Sequence, residues 1–203
     1  TAAVYGEPAA IPIREDAPLQ PVNAYGESKL AFERSMAWYG RAHGLRHISL
    51  RYFNACGATA RCGEQHVPET HLIPILLDVA IGRREAVHLF GTDYDTPDGS
   101  CIRDYVHVRD IADAHLLCLA HIDAIDSTAF NLGNGAGYSN REVIAAVQRV
   151  TGRPIRVIAA PRRPGDPARL VAAAQRISHD LGWRPGSPDL ETMIDSAWKW
   201  HLM

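Results

Sequence analysis

Apolar segments alternate with polar loops along the chain, and their spacing predicts helices and strands in turn. Residues 25–43 carry apolar side chains at helical intervals, and residues 48–53 (ISLRYF) form a short apolar run typical of a strand. A second helix is predicted over 71–82, with Pro74 in its first turn. A helix followed by a strand is half of a βαβ unit, so the pattern predicts an α/β fold with a parallel sheet.

Capping residues indicate where later helices begin. Asp110 is a preferred N-cap residue for a helix over 111–121, and Ser139 with Glu142 forms a capping box for a helix that ends near residue 150. Further helices are predicted over 175–181 and 189–200, and further strands over 87–90, 129–133 and 155–160.

Three segments around the first helix carry other signals. Residues 1–5 (TAAVY) resemble the end of a buried strand that Gly6 breaks. Prolines at positions 8, 12, 18 and 21 exclude a regular helix or central strand over 7–24, which predicts a surface loop. Residues 54–68 turn to glycine, alanine and polar side chains, and we expect an active-site loop there.

Composition excludes several classes of function. The 203 residues include 21 basic and 23 acidic side chains, and this net charge of -2 argues against a nucleic-acid-binding protein. Apolar runs are too short for a membrane span, which needs about 18 residues or more, and the chain shows no signal-peptide pattern. The four cysteines form no Cys-x-x-Cys pair, so we expect reduced thiols in a cytoplasmic protein, and no metal site.

Tyr25 and Lys29 are the residues with the clearest catalytic chemistry. They are four positions apart on a predicted helix, so both side chains share one face. An ammonium roughly 6 Å from a phenol, at an effective dielectric near 20, lowers the phenol pKa by about two units from its usual ~10. That change would let Tyr25 transfer protons near neutral pH. Tyr-x-x-x-Lys also occurs by chance, and an exposed helix face is the alternative.

Seven short motifs occur in one order along the chain. They are TAAVYG at 1–6, Tyr-x-x-x-Lys at 25–29, RYFNACG at 51–57, HLIP at 71–74, FGTDY at 90–94, IRDYVHV at 102–108 and RRPGD at 162–166. Together they resemble the UDP-glucose 4-epimerase family of extended short-chain dehydrogenases/reductases, over about the last three fifths of the family's length. The resemblance implies the C-terminal portion of a Rossmann-type parallel sheet that binds NAD, with a smaller α/β domain that binds a UDP-sugar.

The resemblance also implies roles for residues at the reacting end of the site. The family oxidises the sugar C4 hydroxyl, lets the 4-keto intermediate rotate, and returns the hydride to its other face. Tyr25 would move the hydroxyl proton, and Lys29 would lower the Tyr25 pKa and bind the nicotinamide ribose. Thr1 would hydrogen-bond the C4 oxygen, and Phe53 would contact the nicotinamide.

A second set of residues would bind the substrate. Asn54 matches a residue that hydrogen-bonds the diphosphate or the sugar, and Arg103 matches a phosphate-binding arginine. Arg163 would bind phosphate and Asp166 would accept a hydrogen bond from a ribose hydroxyl, in a loop stiffened by prolines. The residues matched to the uracil pocket are Leu72, His88, Leu89 and Phe90.

The resemblance divides the chain into two parts. Residues 1–54 and roughly 104–134 would belong to the NAD-binding domain, and residues 55–103 and 135–203 to the UDP-sugar domain. The family's Gly-x-x-Gly-x-x-Gly turn for NAD is not in this sequence, which also starts without methionine. We therefore expect the chain to be part of a longer protein and, alone, to bind no NAD tightly and to be inactive. With its preceding part it is expected to be a homodimer.

Other functions stay open at this point. Leu170 stands where some family members carry a tyrosine beside the sugar's 2-position, so UDP-GlcNAc could also fit. UDP-pentose and UDP-uronate 4-epimerases are further alternatives. A 4,6-dehydratase usually has an acidic pair next to the Thr1 position, and Ala2-Ala3 lacks it. A non-catalytic protein that binds a UDP-sugar is the alternative from another class.

Overall fold

A computed structural model describes all 203 residues as short parallel strand pairs with helices packed around them. The strands are β1 Ile48–Tyr52, β2 Asn54–Cys56, β3 Val87–Phe90, β4 Ile102–Arg103, β5 Tyr105–His107, β6 Thr128–Leu132, β7 Tyr138–Ser139, β8 Val157–Ala160 and β9 Arg169–Leu170. The helices are α1 Ala24–His43, α2 Leu72–Ala80, α3 Val108–His121, α4 Asn140–Thr151, α5 Gln175–Leu181 and α6 Leu190–His201.

The strand pairing confirms the predicted α/β class. β1 pairs in parallel with β6, β2 with β5, and β3 with β8. β4 lies between β7, to which it is antiparallel, and β9, to which it is parallel. Each parallel partner is reached through a long crossover, as parallel strands require.

Three buried clusters hold these elements together. The largest packs α2, α4 and α6 against β3, with fully buried Leu76, Val147 and Met193. A second packs α3 and α5 against β6, and a third joins the first residues of the chain to α1 through Leu30. These helices bury one apolar face each, which is the main source of their stability.

The ends of α1 agree with the sequence prediction. The side chain of Asn23 accepts a hydrogen bond from the Gly26 amide at 2.8 Å, and so caps the first turn. At the other end Gly44 has a φ of 68°, and its amide donates to the Gly40 carbonyl. Gly44 ends the helix because side chains are disfavoured at this φ.

Three local predictions are wrong. Residues 54–56, expected at the start of a loop, form β2 and pair with β5. Residues Ala2–Tyr5 form a 3-10 helix and not a strand, and the Thr1 hydroxyl caps it by accepting from the Ala3 amide. A short apolar run has the same pattern in a buried strand and in a buried helical turn, so periodicity could not separate them. Asp110 does not cap α3, because the helix begins at Val108 after the N-cap His107.

Asp110 has a different structural role. It is buried, and its carboxylate accepts from the amides of Gly186 and Ser187 at 2.9 and 3.1 Å. It therefore ties the first turn of α3 to the loop before α6.

All four cysteines are free thiols. Among the helices none combines the length and the apolar character needed to cross a bilayer.

Candidate active-site cleft

One large cleft, of about 1260 Å³, collects almost all residues that the sequence predicted to be functional. Its walls come from the carboxyl end of β1, the loop 62–71, the start of α2, and β3. The predicted site residues that line it are Thr1, Tyr25, Phe53, Asn54, Leu72, His88, Leu89, Phe90, Arg103, Arg163 and Asp166. Lys29 does not line the cleft and lies beside Tyr25.

Tyr25 and Lys29 lie together on α1, as their spacing predicted. The Lys29 ammonium is 5.5 Å from the centre of the Tyr25 ring. The Tyr25 side chain is 57% exposed, so its hydroxyl can reach a bound molecule. A phenol and an ammonium therefore lie side by side on one face of α1.

Gly26 controls how closely this helix approaches the beginning of the chain. A Cβ atom added at Gly26 would lie 2.5 Å from the Ala3 carbonyl oxygen and 2.9 Å from Pro21. No side chain fits in that space, so glycine allows α1 to contact the 3-10 helix directly. As a result Thr1 and Tyr25 share the same cleft.

Arg103, Arg163 and Asp166 form a charged group on the cleft wall. The Arg163 Nε donates to the Asp166 carboxylate at 2.7 Å, and an Arg103 Nη lies 3.8 Å from the other carboxylate oxygen. Arg103 also donates to the Pro167 carbonyl at 2.8 Å, which orients its guanidinium. Two guanidinium groups against one carboxylate leave a net positive charge, which suits a diphosphate.

Asp104, the neighbour of Arg103 in the chain, connects this wall to the segments that follow β6 and β9, a role that its sequence context did not predict. Its fully buried carboxylate accepts from the amides of Asn134, Gly135 and Ala172 at 2.8 to 3.0 Å. Burial raises the pKa of Asp104, while these hydrogen bonds oppose that shift. Asp104 lies between β4 and β5, and a buried carboxylate there needs hydrogen-bond partners.

The wall around β2 and β5 is uncharged. Burial raises the pKa of Tyr105 and of Cys56, so the phenol and the thiol are both neutral at pH 7. The Tyr105 hydroxyl has no hydrogen-bond partner within the protein. The cleft thus joins a neutral wall to a positively charged one.

A parallel α/β fold with a cleft at the carboxyl end of β1 is the arrangement of Rossmann-like proteins, in which ligands bind beyond that edge. The profile of the NAD dependent epimerase/dehydratase family matches residues 1–133. The chain belongs to this family.

Individual proteins named UDP-glucose 4-epimerase are similar to this chain over nearly its whole length. A UDP-glucose 4-epimerase from Halalkalibacterium halodurans is 55% identical over 99% of this chain, and the match covers 61% of that relative. The UDP-glucose 4-epimerase of Brucella ovis in complex with NAD superposes with a TM-score of 0.93 at 44% identity, over 98% of this chain and 62% of that one. The Bifidobacterium longum UDP-glucose 4-epimerase, in complex with NAD+ and UDP, gives 0.92 at 38% identity, over 100% and 62%. The chain therefore spans about three fifths of the length of these relatives.

Proposed function

We propose that the protein interconverts UDP-glucose and UDP-galactose by NAD-dependent oxidation and re-reduction at the sugar C4. The observation that carries this proposal is that Tyr25, with Lys29 beside it, lies on the same cleft as Arg103 and Arg163. A proton-transfer group at one position and a phosphate-binding group at another match the two ends of a nucleotide sugar.

The proposed chemistry assigns the proton to Tyr25. Its phenol oxygen removes the proton of the C4 hydroxyl and later returns it, while the Lys29 ammonium stabilises the charge on that oxygen. The Thr1 hydroxyl lies on the same cleft and would hydrogen-bond the C4 oxygen. Bound NAD supplies the acceptor and donor of the hydride.

The residues of this chain fit the nicotinamide end of that cofactor. Phe53 follows β1, lines the cleft, and offers an aromatic ring for the nicotinamide. Lys29, beside Tyr25, would donate to a ribose hydroxyl. The Gly-x-x-Gly-x-x-Gly turn that would bind the pyrophosphate is not in the sequence, so the chain alone is expected to bind NAD weakly.

The proposed substrate site uses the positive wall of the cleft. Arg103 and Arg163 would bind the diphosphate, Asp166 a ribose hydroxyl, and Asn54 the diphosphate or sugar. Leu72, His88, Leu89 and Phe90 would surround the uracil. Clefts for small ligands usually have about 300–1,000 Å³, and the larger volume here, about 1260 Å³, leaves room for a UDP-sugar beside the nicotinamide.

The proposal extends to organisation and assembly. Residues 55–103 and 135–203 would form the UDP-sugar domain, and residues 1–54 with roughly 104–134 would belong to the NAD-binding domain. Phe32, Trp38 and Tyr39 are exposed on α1, and an apolar face of this kind supports a homodimer. The four free thiols suit the reducing cytoplasm.

The test measures conversion of UDP-galactose to UDP-glucose. It uses the 203-residue chain and a chimera in which the part of the H. halodurans relative that the match does not cover is placed before Thr1. We expect turnover in the chimera only. In the chimera Tyr25→Phe should lower turnover about 10²- to 10⁴-fold, which is the usual contribution of a positioned acid–base group. It should leave UDP affinity unchanged.

Tyr39→Phe is the matched control, because Tyr39 is an exposed tyrosine of the same helix that does not line the cleft. It should keep full turnover. Turnover that survives Tyr25→Phe, or a chimera that binds UDP but never converts UDP-galactose, would contradict the proposed function.

A further inference from the structure

Two histidines and two glutamates converge on the loop that precedes α2. Glu64, His66, Glu69 and His71 each place one potential metal-ligand atom within 4.8 Å of all the others. A Glu64 carboxylate oxygen is 2.5 Å from His71 Nδ1 and 3.3 Å from His66 Nδ1, and a Glu69 oxygen is 3.2 Å from His71 Nδ1. The two imidazole centres are 5.2 Å apart.

From this geometry we infer that Glu64, His66, Glu69 and His71 form a binding site for a divalent transition-metal ion, Zn²⁺ in the first place. Ligand bonds of 2.0–2.2 Å in a tetrahedral site put neighbouring donors roughly 3.4 Å apart. The three N···O separations above are at or below that value, and no pair of the four atoms is more than 4.8 Å apart, so small side-chain rotations would bring all four atoms to one ion.

The donor set selects the class of ion. Two imidazole nitrogens with two carboxylate oxygens suit Zn²⁺ and its neighbours in the transition series. Mg²⁺ and Ca²⁺ take oxygen donors, so half of this set would not serve them. No cysteine belongs to this cluster, so the lack of a Cys-x-x-Cys pair, which predicted no metal site, does not apply to it.

The protein holds the loop at both ends of the cluster. The Trp200 indole of α6 donates to the Glu64 carbonyl at 3.2 Å, and its ring covers Gly63 so closely that a Cβ there would lie 2.3 Å away. At the other end Glu69 accepts from the amides of Thr70 and His71 at 2.6 and 2.7 Å. The backbone at Glu64 and the carboxylate of Glu69 are therefore held in position before any ion binds, which lowers the entropic cost of binding.

A bound ion would connect the loop to α2 and so stabilise one wall of the cleft. All four residues line the cleft, next to Leu72 at the start of α2. Since an ion that binds only the folded state raises its stability, Zn²⁺ should raise the midpoint of thermal unfolding. None of the four residues is among those assigned to proton transfer or to the diphosphate.

The test titrates the purified, chelator-treated protein with Zn²⁺ against a chromophoric competitor, and with Co²⁺ as a spectroscopic probe. We expect one equivalent of tightly bound ion and Co²⁺ absorption typical of four nitrogen and oxygen ligands. Loss of a residue that only supports a ligand costs roughly 10- to 100-fold in affinity. His66→Gln and His71→Gln each remove a ligand, so each should weaken Zn²⁺ binding at least about 100-fold.

His179→Gln is the matched control. His179 also lies next to a carboxylate, with its Nδ1 2.8 Å from Asp180, but outside the cluster. It should bind Zn²⁺ as the unchanged protein does, and circular dichroism shows whether each variant is folded. A stoichiometry well below one, or equal affinity in His66→Gln, His71→Gln and His179→Gln, would overturn the inference. Neither outcome depends on UDP-sugar binding or turnover.

Discussion

Arg51 of β1 and Glu33 of α1 form an ion pair that is largely shielded from solvent. Their closest atoms are 2.7 Å apart, and their side chains are only 6% and 15% exposed. The same guanidinium donates to the Tyr5 hydroxyl at 2.8 Å and to the Glu15 carbonyl at 3.1 Å. One arginine thus connects β1, α1 and the first loop, and so supports the helix that carries Tyr25.

Replacing Glu33 by alanine should destabilise the fold. Removal of one partner leaves the Arg51 charge buried and unpaired, which typically costs about 3–5 kcal/mol. The measurement is the free energy of unfolding in urea. Glu27→Ala breaks an exposed pair with Arg34, 3.6 Å apart, and should cost less than about 1 kcal/mol. Similar losses in both variants would show that burial of the Arg51 pair has no energetic consequence.

Arg163 should contribute to nucleotide affinity. Its side chain is 56% exposed and binds Asp166, so Arg163→Ala should leave the fold intact. A hydrogen bond to a charged group contributes about 1.5–3 kcal/mol, hence a loss of roughly 10- to 150-fold in UDP affinity, measured by calorimetry. Arg162, next in the chain, pairs with Asp93 away from the cleft. Arg162→Ala should bind UDP normally, and an equal loss in both would argue against a specific phosphate contact.

His107 should make the protein sensitive to mild acid. Burial lowers the pKa of His107, Arg109 lowers it further, and Asp110 opposes the shift. Its Nδ1 accepts from the Arg109 amide at 3.1 Å and must stay unprotonated to cap α3. Because the folded pKa lies below the unfolded value near 6.5, the unfolded chain binds more protons between the two. Stability is therefore complete above pH 6.5 and falls as the pH drops below it.

The measurement is the free energy of unfolding at several values between pH 5 and pH 7.5. His107→Asn retains a side-chain oxygen that can cap the helix and has no titratable group. Its stability should change less over this range than that of the unchanged protein. An identical pH dependence would assign the acid sensitivity to other residues.

Leu170 should influence the choice of sugar if the proposed function is correct. It lies in β9, in register with Arg103, and is only partly buried. We expect the chimera to convert UDP-GlcNAc as well as UDP-glucose. Leu170→Tyr should remove the UDP-GlcNAc activity through steric overlap with the N-acetyl group and retain UDP-glucose turnover. A chimera without UDP-GlcNAc activity would contradict this specificity, although not the epimerase function.

Local signals in the sequence predicted most of the elements. Asn23, Gly44 and the Ser139–Glu142 capping box mark helix ends because they satisfy backbone groups only there. The prediction failed at Asp110 because an aspartate near the start of a helix resembles an N-cap in the sequence, whether its carboxylate accepts from the helix or from amides far along the chain. Its partners, Gly186 and Ser187, are more than 70 positions away.

Only part of the site could be predicted from local spacing, because the other contacts join residues that are far apart in the chain. Tyr25 and Lys29 are neighbours on one helix, so their spacing shows their proximity directly. Arg103 and Asp166 come together only through folding. The metal-ligand cluster has a visible signal, Glu-x-His-x-x-Glu-x-His over 64–71, but no single helical or strand period relates all four of its members. Their convergence depends on a loop whose path Trp200 fixes from the far end of the chain.

Gly26 is important for the geometry of the cleft although it has no reactive group. It offers no side chain to a ligand, and yet any larger residue would push α1, the helix that carries Tyr25, away from Ala3. The position of the Tyr25 phenol therefore depends on the lack of a Cβ atom at the next residue in the chain. A survey of reactive side chains would pass over position 26, although it tolerates replacement less than the exposed surface around it.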